Sequence, residues 1–208
     1  MKVKDFFRSN AFRSLVVLIV IVLAAGLLLS ICNDVFYVSD EERFARSIAK
    51  IYGREVETVE IELSDEQKSF AKGNVHEVYL VPESGDYLFH TTGKGGYSDG
   101  AGTVTLWVVL SCETAEEDGT LRLTGIQKVV YDTNTGQTLI SNFGNKYFSY
   151  FTSQNEAIAA GGEFTAIKGS TDALNNVVAG ASQTSNAMVN AVNTALACFR
   201  SALAGGRQ

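Results

Sequence analysis

Residues 103–110 read TVTLWVVL and residues 121–131 read LRLTGIQKVVY. Both are rich in the β-branched and aromatic residues that suit a pleated, half-buried surface, and a turn at residues 116–119 containing Gly119 separates them. Upstream, VHEVYLV at 75–81 and YLFHT at 87–91 have the same character, with turn residues at 83–86 and 93–102 between the runs. Short apolar runs punctuated by Gly, Ser and Asp predict a meander of about four antiparallel strands. Two segments follow with helical spacing. The spacing predicts a short aromatic helix over residues 142–151 and a long one over residues 186–203 (NAMVNAVNTALACFRSAL), with Met188, Val192, Ala195 and Phe199 along one stripe. Strands first and helices after them predict an α+β domain, its antiparallel sheet packed by helices.

Working outward, residues 53–74 are polar and charge-rich, so only short pieces of structure are expected there. Residues 41–52 (EERFARSIAKIY) space Phe44, Ile48 and Ile51 as one face of an amphipathic helix. Residues 15–32, LVVLIVIVLAAGLLLSIC, contain no charge over 18 positions, enough to cross a bilayer that needs about 20 apolar residues. Lys2, Lys4, Arg8 and Arg13 precede this segment; Asp34, Asp40, Glu41 and Glu42 follow it. By the positive-inside rule the N-terminus stays in the cytoplasm, and everything from about residue 33 lies outside the cell (inner) membrane. The expected organisation is a cytoplasmic stretch 1–14, a single transmembrane helix 15–32, a membrane-proximal helix and connector 33–74, and the main domain 75–208. A cleaved signal peptide is the second reading of the apolar segment, although the sequence after Ala24 and Ala25 continues apolar. A lipidated Cys32 is a third, but bulky Ile31 stands where a lipobox has Gly or Ala.

Composition excludes several classes. The 208 residues are 46% hydrophobic and 19% charged, which rules out disorder. The net charge is −6, and beyond the anchor 13 basic against 22 acidic residues leave −9. A partner rich in phosphate needs clustered Lys and Arg, so no nucleic-acid partner is expected. Three cysteines and two histidines, with no metal-ligand spacing, leave no expected metal site. Cys112 and Cys198 could pair or remain buried thiols, and His76 and His90 are expected to decorate strands.

The segment that bears chemistry is NVVAGASQTSNAMVNAVN at 176–193. Small residues and the hydroxyls of Ser182, Thr184 and Ser185 run into the long C-terminal helix, where free backbone N–H groups and the positive dipole end favour an anion such as phosphate. On spacing alone, Thr184 or Ser185 could equally be a plain helix cap.

The segment resembles the flavinylation motif of the FMN-binding domain family, D-x-x-S/T-G-A-T-x-T-S followed by a helix rich in Ala, Val and Asn. The matching residues are Gly180, Ala181, Ser182, Thr184 and Ser185, while Asn176 stands for the Asp and Ala179 for the Ser or Thr. The resemblance implies covalent FMN, esterified through its phosphate to Ser182 by a dedicated flavin transferase, with Thr184 as the reserve acceptor. It implies that Gly180 admits close backbone approach and that N–H groups near 184–186 receive the phosphate charge. Within the family the chain is similar to the RnfG-like, NqrC-related subunits. These have one N-terminal span, a Gly-Tyr-Gly-rich turn (here Gly93, Lys94, Gly95, Gly96, Tyr97) and an acidic-to-glycine segment near the flavin (here DTNTGQTL, 132–139). By this analogy Thr138 and Leu139 neighbour the ring, and Tyr97, Trp107 or Phe143 could stack on it. The function implied is electron relay in an Rnf-type ferredoxin:NAD oxidoreductase coupled to Na⁺ or H⁺ translocation, with other membrane subunits and membrane lipid as partners. No residue of this chain is expected to be catalytic. The alternative is a membrane-tethered extracytoplasmic scaffold or binding module without flavin.

Overall fold

The computed structural model describes residues 10–36, 39–97, 99–115, 119–137, 140–165 and 181–204. The chain falls into two compact units, Met1–Arg46 and Ser47–Gln208. In the first, helix α1 (Asn10–Phe36) overruns the apolar stretch at both ends. Its segment Phe12–Asn33, 22 residues long and unburied, is apolar enough to cross a membrane, and rises about 33 Å against a hydrocarbon core of about 30 Å. Helix α2 (Asp40–Tyr52) begins beside Ser39, whose hydroxyl accepts the Glu42 N–H at 3.2 Å.

The second unit is an antiparallel sheet with helices, the α+β architecture expected. Its strands are β1 (Val59–Glu60), β2 (Ser69–Phe70), β3 (Gly73–Val81), β4 (Asp86–Gly93), β5 (Thr103–Thr114) and β6 (Leu121–Thr135). They run in the order β1-β3-β4-β5-β6, with β2 also paired to β3. The four central strands form the predicted meander; β5 and β6 extend four residues further than their apolar runs suggested. Pro82 at the second position of the β3–β4 turn supplies the φ that the turn needs, and Ser84 N–H closes it on Val81 O at 3.2 Å. The connector contributes β1, β2 and the one-turn helix α3 (Asp65–Lys68), which carries a capping box between Ser64 and Gln67.

Residues 104–110 of β5 are all buried because both faces of the sheet are covered. On one face Phe89, Leu106, Val108 and Leu110 share a core with helix α4 (Asn145–Thr152), helix α5 (Asn155–Ala159) and helix α6 (Ser182–Cys198). On the other face Leu88, Trp107 and Val109 are buried. Ile48 and Ile51 are buried at the end of α2, where the Lys128 ammonium donates to Ile51 O.

Helix α6 starts four residues earlier than its apolar pattern implied, and its last turn, Phe199–Leu203, widens to π geometry. The single expected stripe is also too narrow: Met188, Val192 and Ala195 are buried, but so are Thr184, Ser185, Asn190 and Thr194. Close approach explains this. A Cβ on Gly93 would lie 2.0 Å from Ala187 O and 2.3 Å from Ala191 N, so the helix backbone rests directly on β4. Thr91 donates to Ala191 O at 3.1 Å beside that contact. Phe143, Tyr147, Phe151 and Phe164 fill the rest of the core edge to face, with centroid distances of 4.7, 5.6 and 4.9 Å along the series.

Candidate functional site

The site is the head of α6. Ala181 occupies the N-cap position and offers no side-chain hydrogen bond. The first helical backbone bond runs from Ser185 N–H to Ala181 O at 2.9 Å. Hence Ser182, Gln183 and Thr184, rather than residues 184–186, hold the N–H groups that have no acceptor within the helix. The cap reading fails for the same reason: Thr184 and Ser185 lie inside the helix, and their hydroxyls serve other partners.

Thr184, 3% exposed, donates its hydroxyl to Gln137 Oε1 at 2.8 Å. The same oxygen accepts the Tyr97 N–H at 3.1 Å, while Gln137 Nε2 donates to Thr135 O at 3.1 Å. One amide therefore joins three segments: the loop after β4, the loop after β6 and the start of α6. Asn134 Oδ1 accepts the Gln137 N–H at 3.3 Å and steadies that residue from below. Further along the helix, Asn186 donates to Gly95 O at 3.0 Å and Asn190 to Lys94 O at 2.8 Å. The Gly-rich loop thus lies along one side of α6, its carbonyls met by side-chain amides.

Ser185, 2% exposed, shares a 2.8 Å hydrogen bond with the Tyr147 hydroxyl from α4. Burial pushes the Tyr147 phenol well above its ordinary range, so it remains a neutral hydrogen-bonding group. Ser182, at the first helical position, differs from both in being only half-buried.

The residues expected from sequence divide as follows. Ala181, Ser182, Thr184 and Ser185 gather at the head of α6, and Tyr97 lies in the loop tied to it, with 51% of its surface exposed. Gly180, Thr138 and Leu139 lie outside the described residues. Trp107 is 4% exposed and faces the opposite side of the sheet, stacked on His90; Phe143 is 7% exposed and packed in the core against Tyr147. Neither aromatic is accessible to a ring at the α6 head. Gln137, Tyr147, Asn186 and Asn190 organise the site, yet carried no signal as individuals. Gln137 lies in the DTNTGQTL stretch and Asn186 and Asn190 in the 176–193 segment, but neither residue type nor spacing marks any of the four as an organiser.

His76 and His90 do decorate strands, and they join a network on the far face. His90 Nε2 lies 2.9 Å from Asp132 Oδ2 and its Nδ1 lies 3.8 Å from Glu77 Oε2. His76 Nε2 meets Thr92 Oγ1 at 2.6 Å, and Thr92 in turn meets Thr105 at 2.6 Å. No group of metal-holding side chains occurs among the described residues, and Cys32, Cys112 and Cys198 are free thiols. A groove of about 620 Å³ runs along β6 beside α4, lined by Lys50, Lys128, Val129, Tyr131 and Phe148. Ser182, Thr184 and Ser185 are not among its walls.

The fold defines a class in outline: an α+β domain with an antiparallel sheet, in a chain whose described residues also include a helix apolar enough to cross a membrane. No protein-family model, curated protein or solved structure matches the chain.

Proposed function

We propose that the chain is a membrane-anchored flavoprotein subunit that carries FMN as a phosphoester on Ser182 and relays electrons within an Rnf-type ferredoxin:NAD oxidoreductase complex coupled to Na⁺ or H⁺ translocation. One observation carries the reading. Three stretches singled out by resemblance, the Gly-Tyr turn, the DTNTGQTL segment and the hydroxyl-rich helix start, meet at the Gln137 side chain. Tyr97 and Thr184 lie 40 and 47 positions from Gln137 in sequence, and the fold brings both onto its side chain.

The residues at the convergence also fit a phosphoester. Ser182, half-buried as a residue, sits on a first helical turn whose N–H groups at 182–184 have no acceptor within the helix and no side-chain cap. Together with the helix dipole they are suited to a phosphate charge. Bound flavin supplies a redox centre that takes up electrons and passes them on. The head of α6 would hold its phosphate end, and Tyr97 is an accessible aromatic in the loop tied to that helix through Gln137. The basic residues before the apolar segment 15–32 and the acidic ones after it support a cytoplasmic N-terminus with the sheet domain outside the cell membrane.

Mass spectrometry of the tryptic fragment 169–200, from cells that express a flavin transferase, tests the proposal. An added FMN mass on Ser182, with yellow colour that survives denaturation, is the expected result. An unmodified fragment overturns it and leaves a membrane-tethered scaffold or binding module.

A further inference from the structure

We infer that Gln137 and Tyr147 decide which hydroxyl at the head of α6 is esterified; the inference rests on the reading proposed above. Three hydroxyls occupy four consecutive positions, at Ser182, Thr184 and Ser185. Chemically they are close to equivalent, so selection among them must come from access. Thr184 is buried with its O–H committed to Gln137 Oε1, and Ser185 is buried with its Oγ against the Tyr147 hydroxyl. Ser182 alone of the three is half-buried rather than buried.

The transfer itself states what access means. A pyrophosphate-activated flavin dinucleotide is the required donor class. The serine Oγ–phosphorus bond forms as the bridging P–O bond of the pyrophosphate breaks. A nucleoside monophosphate leaves with that electron pair, the hydroxyl proton passes to a base on the transferase, and nothing is oxidised. The oxygen must approach phosphorus in line with the leaving group, so a hydroxyl lying under another side chain cannot react.

Gln137 is a rigid cover. Its Oε1 accepts two hydrogen bonds and its Nε2 donates a third. The amide also lies against bare glycine backbone, since a Cβ on Gly96 or Gly102 would come within 2.3 or 2.1 Å of Nε2. The glycines of this loop therefore serve to seat Gln137, and Gln137 serves to keep Thr184 out of reach. Both Gln137 and Tyr147 are positioning residues.

The test uses the full chain co-expressed with a flavin transferase, with flavin located by fragment mass spectrometry. Wild type is expected to carry flavin on Ser182 alone, and Ser182→Ala to carry none. Combining Ser182→Ala with Gln137→Ala uncovers Thr184, raising flavin there at least about tenfold above the Ser182→Ala background, since the lost hydrogen bond also releases the reacting oxygen. Gln137→Glu keeps an acceptor for both Thr184 and Tyr97, so in the same background it leaves Thr184 unmodified; a generally loosened loop would not be rescued this way. If Gln137→Ala fails to fold, Gln137→Ser, equally short and so equally uncovering, takes its place. Flavin on Ser182 in wild type, with Thr184 unmodified in every Gln137 variant, overturns this inference alone. So does flavin on Thr184 in Ser182→Ala with Gln137 intact. A wild-type fragment with no flavin overturns the proposed function and this inference together.

Discussion

The imidazole of His90 lies flat on the indole of Trp107, with ring centroids 4.1 Å apart and planes 11° from parallel. Register makes the stack possible, because the two residues are direct partners across β4 and β5 and leave the same face together. From that position His90 faces Glu77 on β3 and reaches Asp132 on β6, so one ring links four strands. Replacing His90 with Ala removes the stack and leaves two carboxylates without it. The expected loss is about 1–2 kcal/mol, read as a lower urea midpoint at unchanged slope. An unchanged midpoint would mean the stack contributes nothing.

His76 makes the same cluster sensitive to acid. Burial first, and the neighbouring His90 second, hold its imidazole below the ordinary value; Lys68 acts in the same direction, while Glu77 and Asp132 oppose it. A group whose folded pKa is depressed binds its proton first in the unfolded chain. Stability is therefore complete above the ordinary value of about 6.5 and is lost as pH falls below it toward the depressed folded value. Urea midpoints measured at pH 7.5 and at pH 5.5 should fall on acidification, and fall less in His76→Gln. Equal falls in the two proteins would remove His76 from the explanation.

The packing of α6 on β4 can be tested at Gly93. An added Cβ would meet backbone atoms of Ala187 and Ala191, which cannot move without displacing the helix. Gly93→Ala should cost about 3 kcal/mol, at the upper end of what overpacking produces. Gly144→Ala is the control: nothing lies within 4 Å of its Cβ, and its φ of −99° suits any residue. Because Gly144 caps α4, that variant should lose about 0.5–1 kcal/mol, clearly less than Gly93→Ala. If both variants melt alike, the close approach is not a constraint.

The sheet was legible because β-branched and aromatic runs such as TVTLWVVL have few alternatives once turn residues bracket them. Strand ends were not, because Glu113, Thr114 and Thr133 to Thr135 continue the ladder through backbone pairing, which side-chain pattern does not report. The start of α6 at Ser182 departs from its apolar pattern for a different reason. Ser182, Gln183, Thr184 and Ser185 look like pre-helical residues, since free hydroxyls compete with the helix backbone for hydrogen bonds. Here Thr184 and Ser185 are held instead by Gln137 and Tyr147, so the competition disappears. Of the site, the hydroxyls were visible in advance, but their covers were not. Gln137 precedes Thr184 by 47 positions and Tyr147 precedes Ser185 by 38, and no local pattern joins residues so far apart. Trp107 failed as a ring-stacking candidate because which side of a fully apolar strand faces which layer depends on register.

The cysteines yield a prediction about reactivity. Burial pushes the Cys112 thiol up to about 12, helped by Asp86, and the Cys198 thiol up to about 11. Because the thiolate is the reacting form, both should resist a disulfide-exchange reagent at pH 8 while the chain is folded. Addition of denaturant should release both at once. Rapid labelling of Cys112, which is half-buried, in the native protein would show that its surroundings do not suppress the thiolate.

Asn193 shows how a polar residue can be required inside this helix. Its Nδ2 donates to Phe164 O at 2.8 Å and its Oδ1 accepts the Phe164 N–H at 3.0 Å. One amide thus satisfies both backbone groups of a residue whose ring packs on Phe151 at 4.9 Å. Asn193→Leu keeps the side-chain size but leaves a half-buried N–H and C=O without partners, a loss of about 2–3 kcal/mol. Asn193→Asp keeps the acceptor but loses the donor, and aims a carboxylate at a carbonyl oxygen. It should therefore be destabilised as well, and more at pH 7 than at pH 4, where a protonated carboxyl can again donate. Urea unfolding of both variants at the two pH values measures this directly; a Leu variant as stable as wild type would show that the Phe164 backbone finds other partners.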